Sequence, residues 1–295
     1  MDVSVIIVTY NSAETVANCI ASVQAQQGVE FEIIVVDNAS IDGTAAVVGK
    51  LGDCINLLAN RDNVGFGRAN NQGFAASRGR FVYFLNPDAQ LIQTDGLARL
   101  CQALDQHPGW GLAGTRILSV DGRNETGVAT SYPGQQRVRM DFSRLPGTIA
   151  WILGASMFFP RRVYAGLNGF DTDFFLYCEE TELCLRLRKC GHAIGLVEEV
   201  AVRHIGGASE RGHDSYQTCL RRMDGLHLFW QKHYPARDVR RLTRLDKWRA
   251  RFRMLNYGIL ACFEPTGSPA YLKRRQYQAI WESSKKFLRE FTPHA

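Results

Sequence analysis

The fold class predicted by the sequence is α/β with a parallel, doubly wound sheet, and three observations predict it. Apolar, β-branched runs too continuous for half-exposed strands alternate with helix-like segments. Each early run stops at a polar or acidic cluster. The chain's 295 residues, 45% of them hydrophobic, suffice to bury a full α/β core carrying an appendage.

Residues 3–8 form the first expected strand, and Thr9-Tyr10-Asn11-Ser12 leads from it into a helix over about residues 13–26. Residues 32–36 repeat the pattern, ending in Asp37-Asn38-Ala39-Ser40 before a helix over residues 42–48. A strand at 55–58, a helix at 69–77 and a strand at 81–85 follow. This last run stops at Asn86-Pro87-Asp88, where Pro87 removes a backbone donor and disfavours helical geometry at Asn86, leaving Asp88 in a tight loop. A carboxylate there serves either a strand-terminating turn or a hard cation, which takes oxygen ligands and shares them with substrate phosphates. Ligands of such sheets sit beyond the carboxyl ends of strands, so one crevice would collect Tyr10, Asp37 and Asp88. Residues 110–143 are Gly-rich and polar without a clear period, and are expected to form an active-site loop region.

A second dense region spans residues 151–210. Residues 154–159 read as a strand entered through small side chains, and 161–165 as a short helix. Glu179 and Glu180 then open a helix in which Leu183, Leu187 and Cys190 keep helical spacing, Glu182 pairs with Arg186 and Gly191 ends the run. The two acids either stabilise the helix N-terminus through its macrodipole or, after the apolar approach at 174–176, open into a cleft. Residues 197–202 read as a strand ending in Arg203-His204 before the pair Gly206-Gly207. His204 is either a satisfied structural histidine or, at a strand end, a ligand.

Composition excludes several classes. No run approaches the roughly 20 apolar residues of a membrane span. The first ten residues lack a basic leader and a small-residue cleavage site, so a cytoplasmic location is expected. The eight cysteines contain no CxxC pair; Cys178, Cys184 and Cys190 with His192 match no common zinc spacing, and all eight read as small core residues. A dinucleotide-dependent dehydrogenase is disfavoured, because the first strand meets no glycine turn and Gly65-Phe66-Gly67 has Asn70 where a third glycine is required.

Charge is concentrated near the C-terminus. Residues 237–253 hold eight basic side chains against Asp238 and Asp246, a net +6 equal to the formal charge of the whole chain. Leu242, Leu245, Trp248, Phe252, Leu255 and Ile259 recur at three- and four-residue steps, which predicts an amphipathic helix with one apolar face. Residues 265–269 break it, and a second basic helix is expected over 270–290. These helices either pack on the rest of the chain or on a second subunit as a homodimer, or meet an anionic membrane surface. No aromatic and basic recognition motif argues for nucleic acid.

Taken together, Val5-Ile6-Ile7-Val8-Thr9-Tyr10-Asn11, Ile34 through Thr44, Asn63-Val64-Gly65-Phe66 through Asn70, Leu85-Asn86-Pro87-Asp88, Gly169-Phe170-Asp171 and Cys178-Glu179-Glu180 resemble the inverting family-2 glycosyltransferases of the GT-A fold. The closer resemblance is to the bacterial rhamnosyltransferase branch, which decorates polyprenyl-diphosphate-linked sugars. It covers the first two thirds to three quarters of the chain, in the expected order.

The resemblance implies a Rossmann-like, mostly parallel central sheet flanked by helices, with a C-terminal helical appendage. A catalytic domain would occupy residues 1–220, its donor half about 1–110 and its acceptor half about 111–220, with a basic helical region over 221–295. Thr9, Tyr10 and Asn11 would hold base and ribose, and Asp37 would accept from the imide of uracil or thymine. Asn38, Gly65 and Asn70 would belong to the same nucleotide-sugar site. Asp88 corresponds to the last position of the family's DxD metal motif, and His204 to a histidine that completes the metal site in some relatives, with Mn or Mg as the divalent metal. Asn86 stands where the first acid would be, and as a neutral amide suits a ribose or water-mediated contact. Glu179-Glu180 match a Glu-Asp pair whose second member is the catalytic base, although Glu180 is one methylene longer than Asp.

The implied reaction is single displacement with inversion. A cation offsets the charge developing on the leaving diphosphate, and a carboxylate takes the proton of the acceptor hydroxyl. The implied partners are a dTDP- or UDP-sugar donor and a glycan or polyprenyl-diphosphate-linked acceptor, at the inner face of the cytoplasmic membrane. A non-catalytic nucleotide-sugar or glycan-binding scaffold is the rival of a different class, and Asn86 and Glu180 are the features in its favour.

Overall fold

The computed structural model describes residues 1–52, 54–125, 127–206, 215–261, 265 and 267–292. Its contacts divide the chain into two units. The first takes in residues 1–132, 143–175 and the described residues from 179 to 206; the second takes in 133–142, 176–178 and the described residues from 215 onward.

The first unit is built on a mixed sheet. Its strands are β1 (Val3–Thr9), β2 (Phe31–Asp37), β3 (Ile55–Ala59), β4 (Phe81–Leu85), β5 (Ala89–Leu91), β6 (Trp110–Leu118), β7 (Asn124–Glu125), β10 (Ser156–Pro160) and β11 (Ala193–His204), while β8 (Val128–Ala129) and β9 (Trp151–Ile152) form a separate ribbon. The order is β3-β2-β1-β4-β10-β6-β11-β5, with β7 beside β6. Strands β1 to β4 run parallel in this order, as does β6 with β11, but β10 is antiparallel to both of its neighbours. Ser156 on β10 joins the two halves, its hydroxyl bonded to Tyr83 Oη and accepting from Thr115 Oγ1, each at 2.8 Å.

Alternation along β1 shows why both faces need cover: Val3, Val5 and Ile7 belong to one core and Ile6 and Val8 to the other. Helices α1 (Val16–Gln24), α2 (Thr44–Gly49) and α4 (Gly96–Gln106) contribute Ile20, Val48 and Leu100 to the first core. Helices α3 (Phe66–Ala76), α5 (Arg161–Gly166) and α6 (Glu179–Lys189) contribute Ala69, Tyr164 and Leu183 to the second. This doubly wound arrangement matches the expected class, with antiparallel pairing at β10, at β5 against β11 and at β7 against β6.

Two expectations are corrected. Residues 110–118 are not loop but an interior strand, β6, whose Leu112, Ala113 and Ile117 are buried. Glycine there serves packing rather than turning: a Cβ at Gly111 would come within 2.7 Å of His192 Cβ, and one at Gly114 within 3.0 Å of Ile152 Cδ1. The cysteines are not uniformly core residues either. Cys19, Cys101 and Cys184 are buried, Cys54 and Cys190 are exposed, Cys178 and Cys219 lie between, and Cys262 falls outside the described residues. Cys190 follows the last residue of α6, where helical periodicity no longer turns it inward.

The second unit is helical: α7 (Ser215–His233), α8 (Ala236–Ala261) and α9 (Pro269–Glu290). Pro133 O accepts from Trp230 Nε1 at 2.9 Å and from Tyr234 Oη at 2.8 Å, which ties the 133–142 segment to α7. Ser268 caps α9 by accepting from Tyr271 N at 3.2 Å, with Pro269 in the first turn. The expected helix break includes Thr266, which lies outside the described residues, as does Gly207 of the expected glycine pair. The single apolar face expected on α8 splits. Leu242 is 2% exposed but Trp248 is 69% exposed, because six residues turn a helix about 600° and so place the two on different faces.

Candidate functional site

The sheet register brings Thr9 beside Asp37 at the ends of β1 and β2. Thr9 Oγ1 donates to Asp37 Oδ1 at 2.7 Å, Ser40 Oγ donates to the same oxygen at 2.6 Å, and Ser40 N donates to Oδ2 at 3.1 Å. Oδ1 is thereby filled, while Oδ2 keeps a lone pair for a further donor. Asn11 adopts a left-handed φ of 51°, a conformation that asparagine tolerates, and its side chain accepts from Ile41 N at 2.9 Å. Its own N–H donates to Ser40 Oγ at 2.9 Å, so the loops after β1 and β2 form one rim. Tyr10 sits on that rim, half-buried.

Asn38 is buried and internally saturated. Its Nδ2 donates to Asn63 Oδ1 and Gly65 O, and its Oδ1 accepts from Asn60 Nδ2 and Val64 N. All four of its side-chain amide positions are used, so the side chain shapes the loop before α3. Gly65 packs where a Cβ would lie 2.7 Å from Phe175 O. Asn70 is buried on α3, with its amide donating to Phe66 O at 3.1 Å.

Asp88 and His204 meet, two residues along the chain from Asn86. Asn86 N donates to Ala155 O at 3.0 Å, yet its buried Oδ1 has no hydrogen-bond partner. Antiparallel pairing of β5 with β11 sets His204 opposite Ala89, which places His204 Nε2 3.3 Å from Asp88 Oδ1. Among the described residues no three His, Cys, Asp or Glu side chains gather into a metal cage. The pair nevertheless has the chemistry to hold a divalent ion, since an aspartate and an imidazole are donors such ions accept.

Glu179 and Glu180 head α6, and Glu182, fourth in the helix, is held by Arg186 Nε at 2.7 Å as its spacing predicts. Glu179 is buried, with Oε2 unpartnered. Burial, and then the neighbouring Glu180 charge, push its carboxyl well above the usual range. Glu180 is partly exposed, and loss of solvent raises its carboxyl too, against the pull of backbone donors. Carboxyls held above their ordinary range are suited to proton exchange near neutral pH. In the second unit, Tyr177 and Cys178, which precede α6 in the chain, both have left-handed φ values, 72° and 66°.

Several residues that shape the site were not singled out in the sequence. Asn60 completes the Asn38 network, in which Asn63 of the 63–70 motif also takes part. Asn71 Oδ1 accepts from Tyr164 Oη at 2.6 Å and Phe170 N at 2.9 Å, which locks the Gly169-Phe170-Asp171 turn. Its signal was present: two consecutive asparagines inside a helix are poor helix formers and mark side chains with other work.

Comparison with known proteins places this architecture. A family description, "Glycosyl transferase family 2", matches residues 4–164. The Rhizobium meliloti succinoglycan biosynthesis protein ExoO is 37% identical over 126 residues, which is 42% of this chain and only 36% of that protein. The chain thus spans about a third of that relative's length. A Mycobacterium tuberculosis N-acetylglucosaminyl-diphospho-decaprenol L-rhamnosyltransferase is 26% identical over 231 residues, covering 68% of this chain and 75% of that one. Among solved structures, the Pyrobaculum calidifontis mannosyltransferase PcManGT, in complex with GDP-Man and Mn2+, superposes with a TM-score of 0.58 at 18% identity, over 98% of this chain and 76% of that one. S. aureus TarS 1-349 with UDP-GlcNAc gives 0.55 at 18% identity, over 97% and 92%. These likenesses show a GT-A fold with C-terminal helices, and with the match over more than half of its length the chain belongs to glycosyl transferase family 2.

Proposed function

We propose that the chain transfers a sugar, rhamnose from dTDP-rhamnose, to a hydroxyl of a glycan or polyprenyl-diphosphate-linked acceptor, with inversion, at the cytoplasmic side of a membrane. The observation that carries this reading is the meeting of Asp88 with His204 3.3 Å away, two residues along the chain from Asn86, whose buried Oδ1 has no partner. The 26% identical relative, whose name states rhamnosyl transfer to a decaprenol-linked sugar, supports the choice of donor and acceptor.

Asp37 Oδ2 would accept from the imide N–H of a thymine, held in place by Thr9 and Ser40, while Tyr10 and Asn11 would border base and ribose. Residues 1–110 would thus form the donor half and 111–220 the acceptor half. Asp88 and His204 would hold a manganese or magnesium ion, and such an ion, when bound, offsets the charge that develops on the leaving diphosphate. Glu180, partly exposed and with a raised carboxyl, would accept the acceptor's proton as its oxygen attacks the anomeric carbon from the face opposite the diphosphate. Glu179, more deeply buried, would then sit protonated behind it and spare Glu180 a second negative neighbour.

A UDP-hexose or UDP-N-acetylhexosamine donor is the second reading, because uracil presents the same imide to Asp37 as thymine does. The test is a screen of dTDP- and UDP-sugars for binding and turnover, with manganese, magnesium or chelator. Transfer from dTDP-rhamnose that disappears in chelator is the expected result. Binding without any turnover would instead establish a scaffold, and undiminished turnover in chelator would end the metal assignment.

A further inference from the structure

We propose that the solvent face of α8 is a docking surface for anionic lipid. Trp248, Phe252, Leu255 and Ile259 are 69%, 54%, 62% and 65% exposed. Their spacing of four, three and four residues keeps them on one side of the helix. The Trp248 and Phe252 rings stack at 6.1 Å with 8° between their planes. Continuing toward the N-terminus at the same helical phase, the stripe becomes Arg244, Arg241 and Arg237, all exposed, with exposed Arg251 beside the tryptophan. From Arg237 to Ile259 it is about 33 Å long at 1.5 Å per residue.

The opposite face is already occupied. Val239, Leu242, Thr243 and Ala250 are buried, and Tyr257 stacks on Tyr277 of α9. Both acids within the basic segment lie away from the exposed stripe. Asp238 is buried, and Asp246 falls on the packed side, where burial raises its carboxyl. The stripe therefore presents large apolar side chains and guanidinium groups with no carboxylate among them.

That chemistry selects the occupant. A second copy docking through the same face would meet it with more arginines and no acid to pair them, so like charges would oppose that contact. A bilayer containing anionic lipid supplies both halves: phosphates at the level of the guanidinium groups, and an acyl boundary into which Trp248 and Phe252 insert. No helix among the described residues is long and apolar enough to cross a membrane, so attachment through this face would be lateral and reversible. The inference goes beyond the transfer reaction and leans on it only for its use, since a polyprenyl-linked acceptor is confined to a membrane surface.

The test is sedimentation of the full chain with vesicles of phosphatidylcholine alone and of equal parts phosphatidylcholine and phosphatidylglycerol, at low and high salt, without sugar nucleotide or acceptor. The parent protein should sediment only with the phosphatidylglycerol vesicles, and less so in high salt. R241Q/R244Q/R251Q should lower the partition coefficient at low salt by on the order of 10²-fold. W248S/F252S should lower it at both salt concentrations. All variants should melt at the parent temperature and retain turnover of a soluble acceptor, because the changed side chains are exposed. Binding that ignores phosphatidylglycerol, or is unchanged in the arginine variant, would overturn the proposal. So would a concentration-dependent dimer that W248S/F252S abolishes, since a second copy would then cover the face. Vesicle binding without sugar transfer would sink the transfer reading and leave the docking surface standing.

Discussion

Replacing Glu179 by glutamine should stabilise the protein, and only above a definite pH. The carboxyl is 5% exposed, its Oε2 has no partner, and burial followed by the Glu180 charge raise it well above the ordinary 4.5. A carboxyl raised on folding is protonated in the native state over a window where the unfolded chain has already released its proton. Stability therefore falls as pH rises from about 4.5 through the folded pKa, and then levels off. Glutamine keeps the shape and carries no charge, so it removes this loss: no gain below about pH 4.5, and a gain that grows to a plateau above it. Each unit of displacement is worth about 1.4 kcal/mol. Local relaxation and the amide's own burial limit the return to the ~1–3 kcal/mol typical of an unsatisfied buried polar atom. Melting should rise by several degrees at about pH 8, given about 2–4 °C per kcal/mol for domains of 150–250 residues. The assay is a series of thermal melts of both proteins from about pH 4 to about pH 9. A lower melting temperature at pH 8, or an equal gain at both ends of the range, would refute the claim that burial governs this group.

Glu180→Gln should lower transfer by about 10²- to 10⁴-fold while nucleotide-sugar binding persists, measured by turnover alongside calorimetry; a dead Glu179→Gln with a normal Glu180→Gln would move the base by one residue. Asp88→Ala should leave the melting curve cooperative but abolish any manganese-dependent increase in nucleotide-diphosphate affinity, and retention of that increase would remove Asp88 from the metal site. Asn38→Ala strips partners from Asn60, Asn63 and the Val64 N–H, so a loss of about 1–3 kcal/mol in denaturant stability is expected. It should also weaken nucleotide binding through the loosened loop, and unchanged stability would show that water replaces the network.

The strand ends were the most legible part of the site. Buried runs that stop at Thr9, Asp37 and Asn86 announce themselves by composition, and a parallel sheet puts such ends on one edge. The Asp88 and His204 pair was not readable by the same route, because it depends on the antiparallel register of β5, a three-residue strand too short to show a period. Residues 110–118 misled for the opposite reason: Gly111 and Gly114 look like loop residues until His192 and Ile152 are seen to occupy the space a Cβ would need. Helix α4 carries Gly96 in its first turn and no acid there, and its N-cap residue Asp95 makes no capping bond, so its start was only weakly marked. On α8 the three- and four-residue steps were real, but they linked Leu242 to a stripe that diverges from it, since periodicity alone does not say which face is packed.

The left-handed pair Tyr177 and Cys178 sets two selective pressures against each other. A non-glycine residue in that region carries ~1–3 kcal/mol of strain, which Cys178→Gly would relieve. The same change would free the backbone immediately before α6. Variants chosen for heat tolerance alone would therefore drift toward glycine at residue 178, while variants chosen for turnover would retain a side chain there. Parallel selections on the two traits would diverge at this one codon.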